Sequence, residues 1–125
     1  MSTNRQKFGE LFRAARKRAG KTLGEVAHDL EISLPYLSDV ERTTRPPLSL
    51  ERIAQAAVLF RSTEAEYSDM LRAAADHQGA FNLPMPNSPK GREAGAALMR
   101  SWNNLDDDLY EEIVNMIARR KANGQ

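Results

Sequence analysis

Residues 21–45 read KTLGEVAHDLEISLPYLSDVERTTR, and this stretch decides the fold. Thr22 and Glu25 have the spacing of a capping box, in which the hydroxyl and the carboxylate each accept a hydrogen bond from a backbone amide at the helix start. Apolar residues then recur at helical spacing: Val26, Ala27 and Leu30. Ser33 caps a second helix, and Pro35 fits its first turn because no backbone N–H is needed there. Helices of about two turns are unstable alone, so the pattern predicts two short helices, joined by a tight turn and packed on neighbouring helices.

Apolar periodicity predicts three further helices in the first 77 residues. They span about 5–19, 49–60 and 63–77. Thr63 and Glu66 repeat the capping-box spacing at the start of the last of them. Together with the two short helices, these segments form a predicted five-helix domain over residues 1–77.

The composition changes after residue 77. Residues 78–91 contain three prolines and two glycines, which is typical of a linker. Two more helices are predicted at about 92–102 and 107–121. Acidic residues favour the positive start of the last helix, basic residues favour its negative end, and Gly124 lies just beyond it. The expected fold is therefore all-α, with residues 92–125 forming a C-terminal two-helix extension.

Length and composition bound the class of protein. A chain of 125 residues suits one compact domain with an appendage, and it has no cysteine for a disulfide or a thiolate metal site. No apolar run approaches the roughly 20 residues of a membrane span, and the first residues lack the apolar core of a signal peptide. We therefore expect a cytoplasmic protein that does not contact a membrane. The net charge is only +1. Residues 1–60 contain ten Lys and Arg but seven Asp and Glu, so the basic excess lies in the half that carries the two short helices.

The pattern from Arg16 to Arg42 resembles the helix-turn-helix domain of lambda repressor and Cro, often called the XRE family. The matching residues are Arg16, Thr22, Glu25, Val26, Ala27, Leu30, Ile32, Ser33, Tyr36, Leu37, Ser38, Val40, Glu41 and Arg42. The resemblance covers roughly half of the chain. It implies a five-helix, lambda-repressor-like domain that binds double-stranded DNA, with the recognition helix 34–41 in the major groove.

Three positions depart from the family pattern. Glu31 and Thr43 stand where the family usually has glycine, so the backbone there must either avoid a positive φ or accept a cost of about 1 kcal/mol. Leu23 replaces a glutamine that contacts DNA in many members. The leucine at this position cannot make the contact that the glutamine makes.

The family's contact positions fall on the start and the exposed face of the recognition helix. They correspond here to Ser33, Leu34, Pro35, Ser38 and Asp39, and we add Tyr36 to the candidate DNA-binding residues. The side chains of Leu34 and Pro35 offer only apolar contact, for which a thymine methyl group is the natural partner, whereas Asp39 could accept a hydrogen bond from cytosine N4. At the helix end and in the following loop, the expected phosphate contacts are Arg42, Thr44 and Arg45. The resemblance also implies a structural ion pair between Arg16 and Glu41.

The sequence offers no constellation for catalysis. The acidic residues from Asp106 to Glu112 are explained by a helix N-terminus, and His28 and His77 lack the spacing of metal ligands. We expect no enzyme activity, no metal and no cofactor.

The preferred interpretation is a sequence-specific transcriptional regulator, most simply a repressor, that is associated with the nucleoid and acts as a homodimer on a palindromic operator. Apolar residues of the last two helices are the expected dimer contacts: Leu98, Trp102, Leu109, Ile113, Met116 and Ile117. Folding of these helices onto the same subunit is the other possibility. Two alternative functions remain open. The protein could be an antitoxin that regulates its own operon and binds a toxin or another regulator, or a protein-interaction module that has lost DNA binding.

Overall fold

The computed structural model describes residues 6–123 of the chain. Within that range the secondary structure is helical and contains no strand, which confirms the all-α fold. Seven α-helices follow one another: α1 Phe8–Arg18, α2 Leu23–Asp29, α3 Leu34–Glu41, α4 Leu50–Leu59, α5 Glu64–Gln78, α6 Pro89–Ser101 and α7 Asp107–Ala122. The chain divides into two compact units, Met1–Asn82 and Leu83–Gln125.

The first unit is built around a core to which all five of its helices contribute. Its largest fully buried side chains are Phe12, Phe60, Leu37, Ile53, Met70, Val26 and Val40. The rings of Phe12 and Phe60 meet edge to face with centroids 5.2 Å apart, so α1 packs directly on the end of α4. This core buries the apolar stripes that the sequence places on α1 to α5, which explains why helices as short as α2 and α3 are stable.

Capping residues set the starts of these helices. Thr22 accepts a hydrogen bond from the amide of Glu25, and Glu25 accepts one from the amide of Thr22, so the predicted capping box of α2 is confirmed. The amide of Thr22 lowers the pKa of the Glu25 carboxyl. Ser33 and Ser49 cap α3 and α4 through their hydroxyls in the same way.

The predicted capping box of α5 is only half formed. Thr63 accepts a hydrogen bond from the amide of Glu66, but the carboxylate of Glu66 accepts two hydrogen bonds from the guanidinium of Arg18, at 2.8 and 3.0 Å. Arg18 also donates to the carbonyl of Phe60 at 2.7 Å. Its hydrogen bonds lower the pKa of Glu66 and join the end of α1 to α4 and α5.

A residue with a left-handed backbone follows each of the helices α1 to α5. Gly20 and Gly79 follow α1 and α5, whereas Glu31 (φ 58°) and Thr43 (φ 62°) hold the same conformation after α2 and α3. Glu31 and Thr43, which stand where the family usually has glycine, therefore do not avoid a positive φ. Arg61, at φ 51° after α4, is a third such residue, which the sequence pattern does not single out.

The second unit consists of α6, a short 3-10 turn at Trp102–Asn104, and α7. Helix α6 begins at Pro89, three residues before its expected start at 92, because Ser88 caps it through the amide of Gly91 and proline fits the first position. The ring of Trp102 packs edge to face on Tyr110, whose hydroxyl donates to the carbonyl of Trp102. No described residue of this unit is buried in the single chain.

Some expectations lie outside the described residues or at the edges of helices. Helix α1 begins at Phe8, while its expected start at about Arg5 lies outside the range 6–123. Helix α7 ends at Ala122, one residue after its expected end at about 121, and Gly124 lies outside the described range. The division into domains 1–77 and 92–125 with a linker at 78–91 remains a prediction. Over the described part of the chain, no helix combines the length and the apolar character that crossing a membrane requires.

Candidate nucleic-acid interface

Helices α2 and α3 and the turn between them form the candidate interface. The turn is closed by hydrogen bonds from the amides of Glu31 and Ile32 to carbonyls of α2, at 3.1 and 3.0 Å. On α3, Leu37 and Val40 are fully buried, and they fix which face of the helix points outward. The opposite face carries the side chains that a partner would meet.

The exposed face of α3 begins with apolar side chains and ends with polar ones. Leu34 is 48% exposed, and Pro35 next to it is exposed as well. One turn further, Ser38 and Asp39 are half-buried. Ser33 caps the helix, so its hydroxyl is occupied by the amide of Tyr36 at 3.1 Å. The structure thus brings the expected base-contacting residues onto one surface.

Arg42 lies beside this surface and is held by it. Its guanidinium donates to the carboxylate of Asp39 at 2.5 Å and to the hydroxyl of Ser38 at 3.0 Å, while its side chain remains 64% exposed. The negative charge of Asp39, which by itself would repel a phosphate, is therefore compensated within the helix. Both the amide and the hydroxyl of Thr44 donate to the carbonyl of Asp39, so they close the end of α3.

Tyr36 and Arg45 form a second contact at the rim of this surface. Tyr36 is half-buried against the core, and the guanidinium carbon of Arg45 lies 5.7 Å from its ring centroid. At this distance the cation interacts with the ring face. Tyr36 therefore orients Arg45 beside α3, and Arg45 itself remains exposed.

Arg16 and Glu41 anchor the end of α3 to α1. The guanidinium donates two parallel hydrogen bonds to the carboxylate, at 2.7 and 3.0 Å, and a third to the carbonyl of Lys21. Arg16 and Glu41 are only 9% and 8% exposed. The hydrogen bonds with Glu41 raise the pKa of Arg16 against the opposing effect of burial. The structure thus brings together the two residues of the expected ion pair, in the bidentate geometry that orients both partners.

Gly9 is a positioning residue that the sequence analysis missed. A Cβ atom at Gly9 would lie 2.4 Å from the carbonyl oxygen of Val40 and 2.6 Å from that of Glu41. Any side chain would therefore push α1 away from the end of α3. The available signal was the place of Gly9 on the buried stripe of α1, next to Phe8 and one turn before Phe12.

Residues 7–70 match the family model of the helix-turn-helix domain. The chain belongs to this family. In helix-turn-helix domains the second helix of the motif is the one that enters the major groove, and α3 occupies that place in this chain. The family match covers α1 to α4 and the first seven residues of α5, and it ends before the second unit begins.

Two curated relatives carry the name transcriptional regulator ClgR, from two strains of Mycobacterium tuberculosis, CDC 1551 / Oshkosh and ATCC 25618 / H37Rv. Each is 29% identical over 94 residues, which cover 75% of this chain and 80% of the relative. No solved structure matches the chain. The family match and these relatives support a DNA-binding transcriptional regulator, which is a class of binding proteins rather than of enzymes.

The expected dimer residues are accessible in the second unit. Trp102, Leu109, Met116 and Ile117 are between 41% and 58% exposed, and Leu98 and Ile113 are half-buried. Trp102 packs on Tyr110 within the unit, whereas most of the α7 stripe has no cover. Within residues 6–123, no group of three or more His, Cys, Asp or Glu side chains is placed to hold a metal ion.

Proposed function

We propose that this helix-turn-helix protein is a transcriptional repressor that binds a palindromic operator as a homodimer, with the recognition helix in the major groove. The observation that carries the proposal is the exposed face of that helix, which is followed by two accessible cations, Arg42 at the helix end and Arg45 in the next loop. Cations at the end of a helix that lies in a groove suit the neighbouring phosphates. Repression is the simplest effect, because a protein bound at an operator competes with other proteins for the same DNA.

The proposed base contacts are few and partly apolar. Leu34 and Pro35 stand where the recognition helix first meets the groove, and the thymine methyl group is the apolar feature of that groove. Ser38 and Asp39 follow one turn later. Because Arg42 compensates the charge of Asp39, the carboxylate can approach the bases and accept a hydrogen bond from cytosine N4. We infer that affinity comes mainly from phosphates and specificity from these four residues.

Dimerisation is proposed because one recognition helix reads too few base pairs for useful specificity. Two copies related by a two-fold axis place two such helices about one turn of DNA apart, roughly 34 Å. The second unit, which lies outside the family match and buries no described residue alone, is the part we assign to this contact.

The proposal is tested by selecting bound duplexes from a random-sequence library with the full-length protein. We expect two inverted half-sites about 10 base pairs apart, centre to centre. Replacing thymine by deoxyuridine removes only the methyl group, so it should weaken binding at the positions that Leu34 and Pro35 contact. It should weaken binding of the Leu34→Ala variant less than that of the wild type, because one of the two apolar contacts is already gone. Ser38→Ala and Asp39→Ala should change which bases are selected. An unenriched library would reject sequence-specific DNA binding.

A second candidate is a protein-interaction module. It is favoured by the exposed apolar pair Leu34 and Pro35, which a protein partner could cover as well as a thymine methyl group could. A module of this kind binds a protein through α3 and shows no salt-dependent binding to duplex DNA. A toxin that binds the second unit would instead leave α3 free and operator binding intact, as expected of an antitoxin.

A further inference from the structure

The stripe of α7 has a symmetric order of residue types. It consists of Asp106, Leu109, Tyr110, Ile113, Met116, Ile117 and Arg120. These positions follow the three- and four-residue spacing that places side chains on one face of a helix. Ile113 is the centre: apolar or aromatic residues lie three and four positions away on both sides, and seven positions away the stripe ends in Asp106 on one side and Arg120 on the other. When two such helices run in opposite directions and cross at Ile113, apolar or aromatic residues therefore lie opposite one another in the middle. At each end, the acidic residue of one helix lies opposite the basic residue of the other.

Most of this stripe is uncovered in the single chain, although Tyr110 packs on Trp102 and Ile113 is half-buried. Leu109, Met116 and Ile117 are 46%, 49% and 58% exposed, and Asp106 and Arg120 are exposed at the two ends. Asp106 uses one carboxylate oxygen to cap the helix through the amide of Leu109, which leaves the other oxygen for a further contact. An apolar face of this size on a helix needs a partner surface.

We propose that the partner is the α7 helix of a second copy of the chain, packed antiparallel and crossing at Ile113. The inference rests on the homodimer of the proposed function and specifies how it is made. In this arrangement Leu109 of each copy lies opposite Ile117 of the other, and Asp106 lies opposite Arg120 at both ends of the pair. A two-fold axis through the two Ile113 side chains generates all of these contacts at once, as an isologous interface requires.

Charge decides between the two possible directions. A parallel pair would bring Asp106 next to Asp106 and Arg120 next to Arg120. It would also place the two acidic first turns side by side, with Asp107 and Asp108 in each, and the two basic last turns side by side, with Arg119 and Lys121 in each. The antiparallel pair replaces both repulsions by attractions and aligns the two helix dipoles in opposite directions. The order of charges along α7 thus favours the antiparallel pair.

Cysteine cross-linking tests the geometry, since the natural chain has no cysteine and each introduced thiol is unique. Under mild oxidation without DNA, full-length Ile113→Cys should form a disulfide-linked dimer. Leu109→Cys alone and Ile117→Cys alone should not, because in an antiparallel pair the two copies of each residue are separated by about eight residues, or about 12 Å, and a disulfide needs a Cα distance under about 7 Å. A mixture of the Leu109→Cys and Ile117→Cys proteins should cross-link into the mixed dimer.

Each other result overturns the inference. Self-linked dimers of Leu109→Cys as abundant as those of Ile113→Cys would show a parallel pair. Absence of every cross-link from a protein that sediments as a dimer would place the interface elsewhere, and a monomeric wild-type protein at micromolar concentration would remove it. DNA binding is measured separately by gel shift. A protein that cross-links as expected but binds no duplex would reject the proposed function and leave the helix pair standing.

A pair of charge variants tests the ends of the stripe. Arg120→Glu places two like charges at each end of the antiparallel pair and should raise the dissociation constant of the dimer roughly fivefold or more. Arg119→Glu is the matched control, because it makes the same charge change on the same turn but points about 100° away around the helix. Equal effects of the two variants on sedimentation, with α7 still helical by circular dichroism, would show that net charge alone is responsible and would contradict the pairing.

Discussion

In the proposed complex, Asp39 and a DNA phosphate compete for the guanidinium of Arg42. In the free protein its guanidinium is hydrogen-bonded to Asp39 and Ser38 on the recognition helix. A phosphate would have to share the guanidinium with Asp39, which its 64% exposure allows because donors remain accessible. Arg45 is placed differently, since Tyr36 supports it through the ring face and leaves its N–H groups free to donate.

We predict that Arg42→Ala and Arg45→Ala each weaken binding to all DNA sequences. Removing one phosphate-binding side chain should reduce the slope of the logarithm of affinity against the logarithm of salt concentration by about 1. The measurement is a salt titration of binding to an operator duplex and to an unrelated duplex. Arg72→Ala on α5, which removes an equally charged residue paired with Asp69, is the control and should keep the wild-type slope. Wild-type slopes for both Arg42→Ala and Arg45→Ala would contradict the docking of α3.

The buried pair of Arg16 and Glu41 should show strong coupling. Because both side chains are nearly inaccessible, removing one strands the charge of the other, which typically costs about 3–5 kcal/mol. The double replacement Arg16→Met with Glu41→Leu should cost much less. Urea unfolding of the two single variants and the double variant gives the coupling energy. The exposed pair Asp39 and Arg42, analysed in the same way, should couple by less than about 1 kcal/mol, and additive effects of the Arg16 and Glu41 substitutions would disprove the prediction.

The ends of the helices show where a local sequence predicts structure and where it cannot. Periodicity and capping residues predict the helices of the first unit because both signals are local. The capping box at Glu66 is the instructive exception: the competing partner, Arg18, lies 48 residues away in sequence, and its charge takes the carboxylate from the local amide. Helix α6 begins at Pro89 rather than at the expected position of about 92. Proline by itself suggests a linker, but after the capping residue Ser88 it is the first residue of the helix.

The candidate site divides in the same way. The exposed face of α3 follows from the resemblance and from helical spacing. The hydrogen bonds from Arg42 to Asp39 and Ser38 join neighbouring turns of one helix, but the spacing alone does not show that Arg42 would bind these residues rather than solvent. The role of Gly9 depends on the distance between α1 and α3, which no local pattern contains. The positive φ at Arg61 could not be predicted because arginine gives no signal for it.

Glycine exchanges at two helix ends should have opposite effects. Glu31 holds a left-handed conformation that costs a side-chain-bearing residue about 1 kcal/mol, so Glu31→Gly should raise the free energy of unfolding by about that amount. Gly20→Ala should lower it similarly. A methyl group at Gly20 would meet nothing within 4 Å, so any loss there is due to the backbone alone. Urea unfolding measures both changes. A destabilised Glu31→Gly variant would show that the Glu31 side chain contributes more to the free energy of unfolding than its backbone strain costs.

Helix α1 should tolerate no side chain where it meets the end of the recognition helix. We predict that Gly9→Ala lowers the free energy of unfolding by about 1–3 kcal/mol, because the new methyl group would overlap backbone oxygens that cannot move without shifting α3. Gly95→Ala in α6 is the matched control: it meets nothing within 4 Å and should be neutral or stabilising, since alanine favours a helix interior. Equal stabilities of wild type and Gly9→Ala would refute the close contact.

At the scale of the whole molecule, the two units differ in self-sufficiency. The first contains a continuous core from five helices, whereas no described residue of the second is buried. A unit of two helices with exposed apolar stripes gains stability mainly by covering them. The proposed α7 pair provides this cover, and it links the stability of the second unit to the concentration of the protein.

Truncation after Asn82 separates the two roles. The remaining unit keeps its core, so we expect a folded protein whose circular dichroism matches five helices. It should sediment as a monomer and bind a single half-site as the full chain does, because α3 and its supporting contacts are unchanged. Binding to a full palindromic operator should weaken strongly, since the second half-site no longer benefits from the high effective concentration that a dimer provides.

The full-length Ile113→Glu variant is the matched control. A charge at the crossing point of the α7 pair should make it monomeric and reduce operator binding to the level of the truncated protein. A truncated protein that remains dimeric at micromolar concentration would instead place the interface within the first five helices.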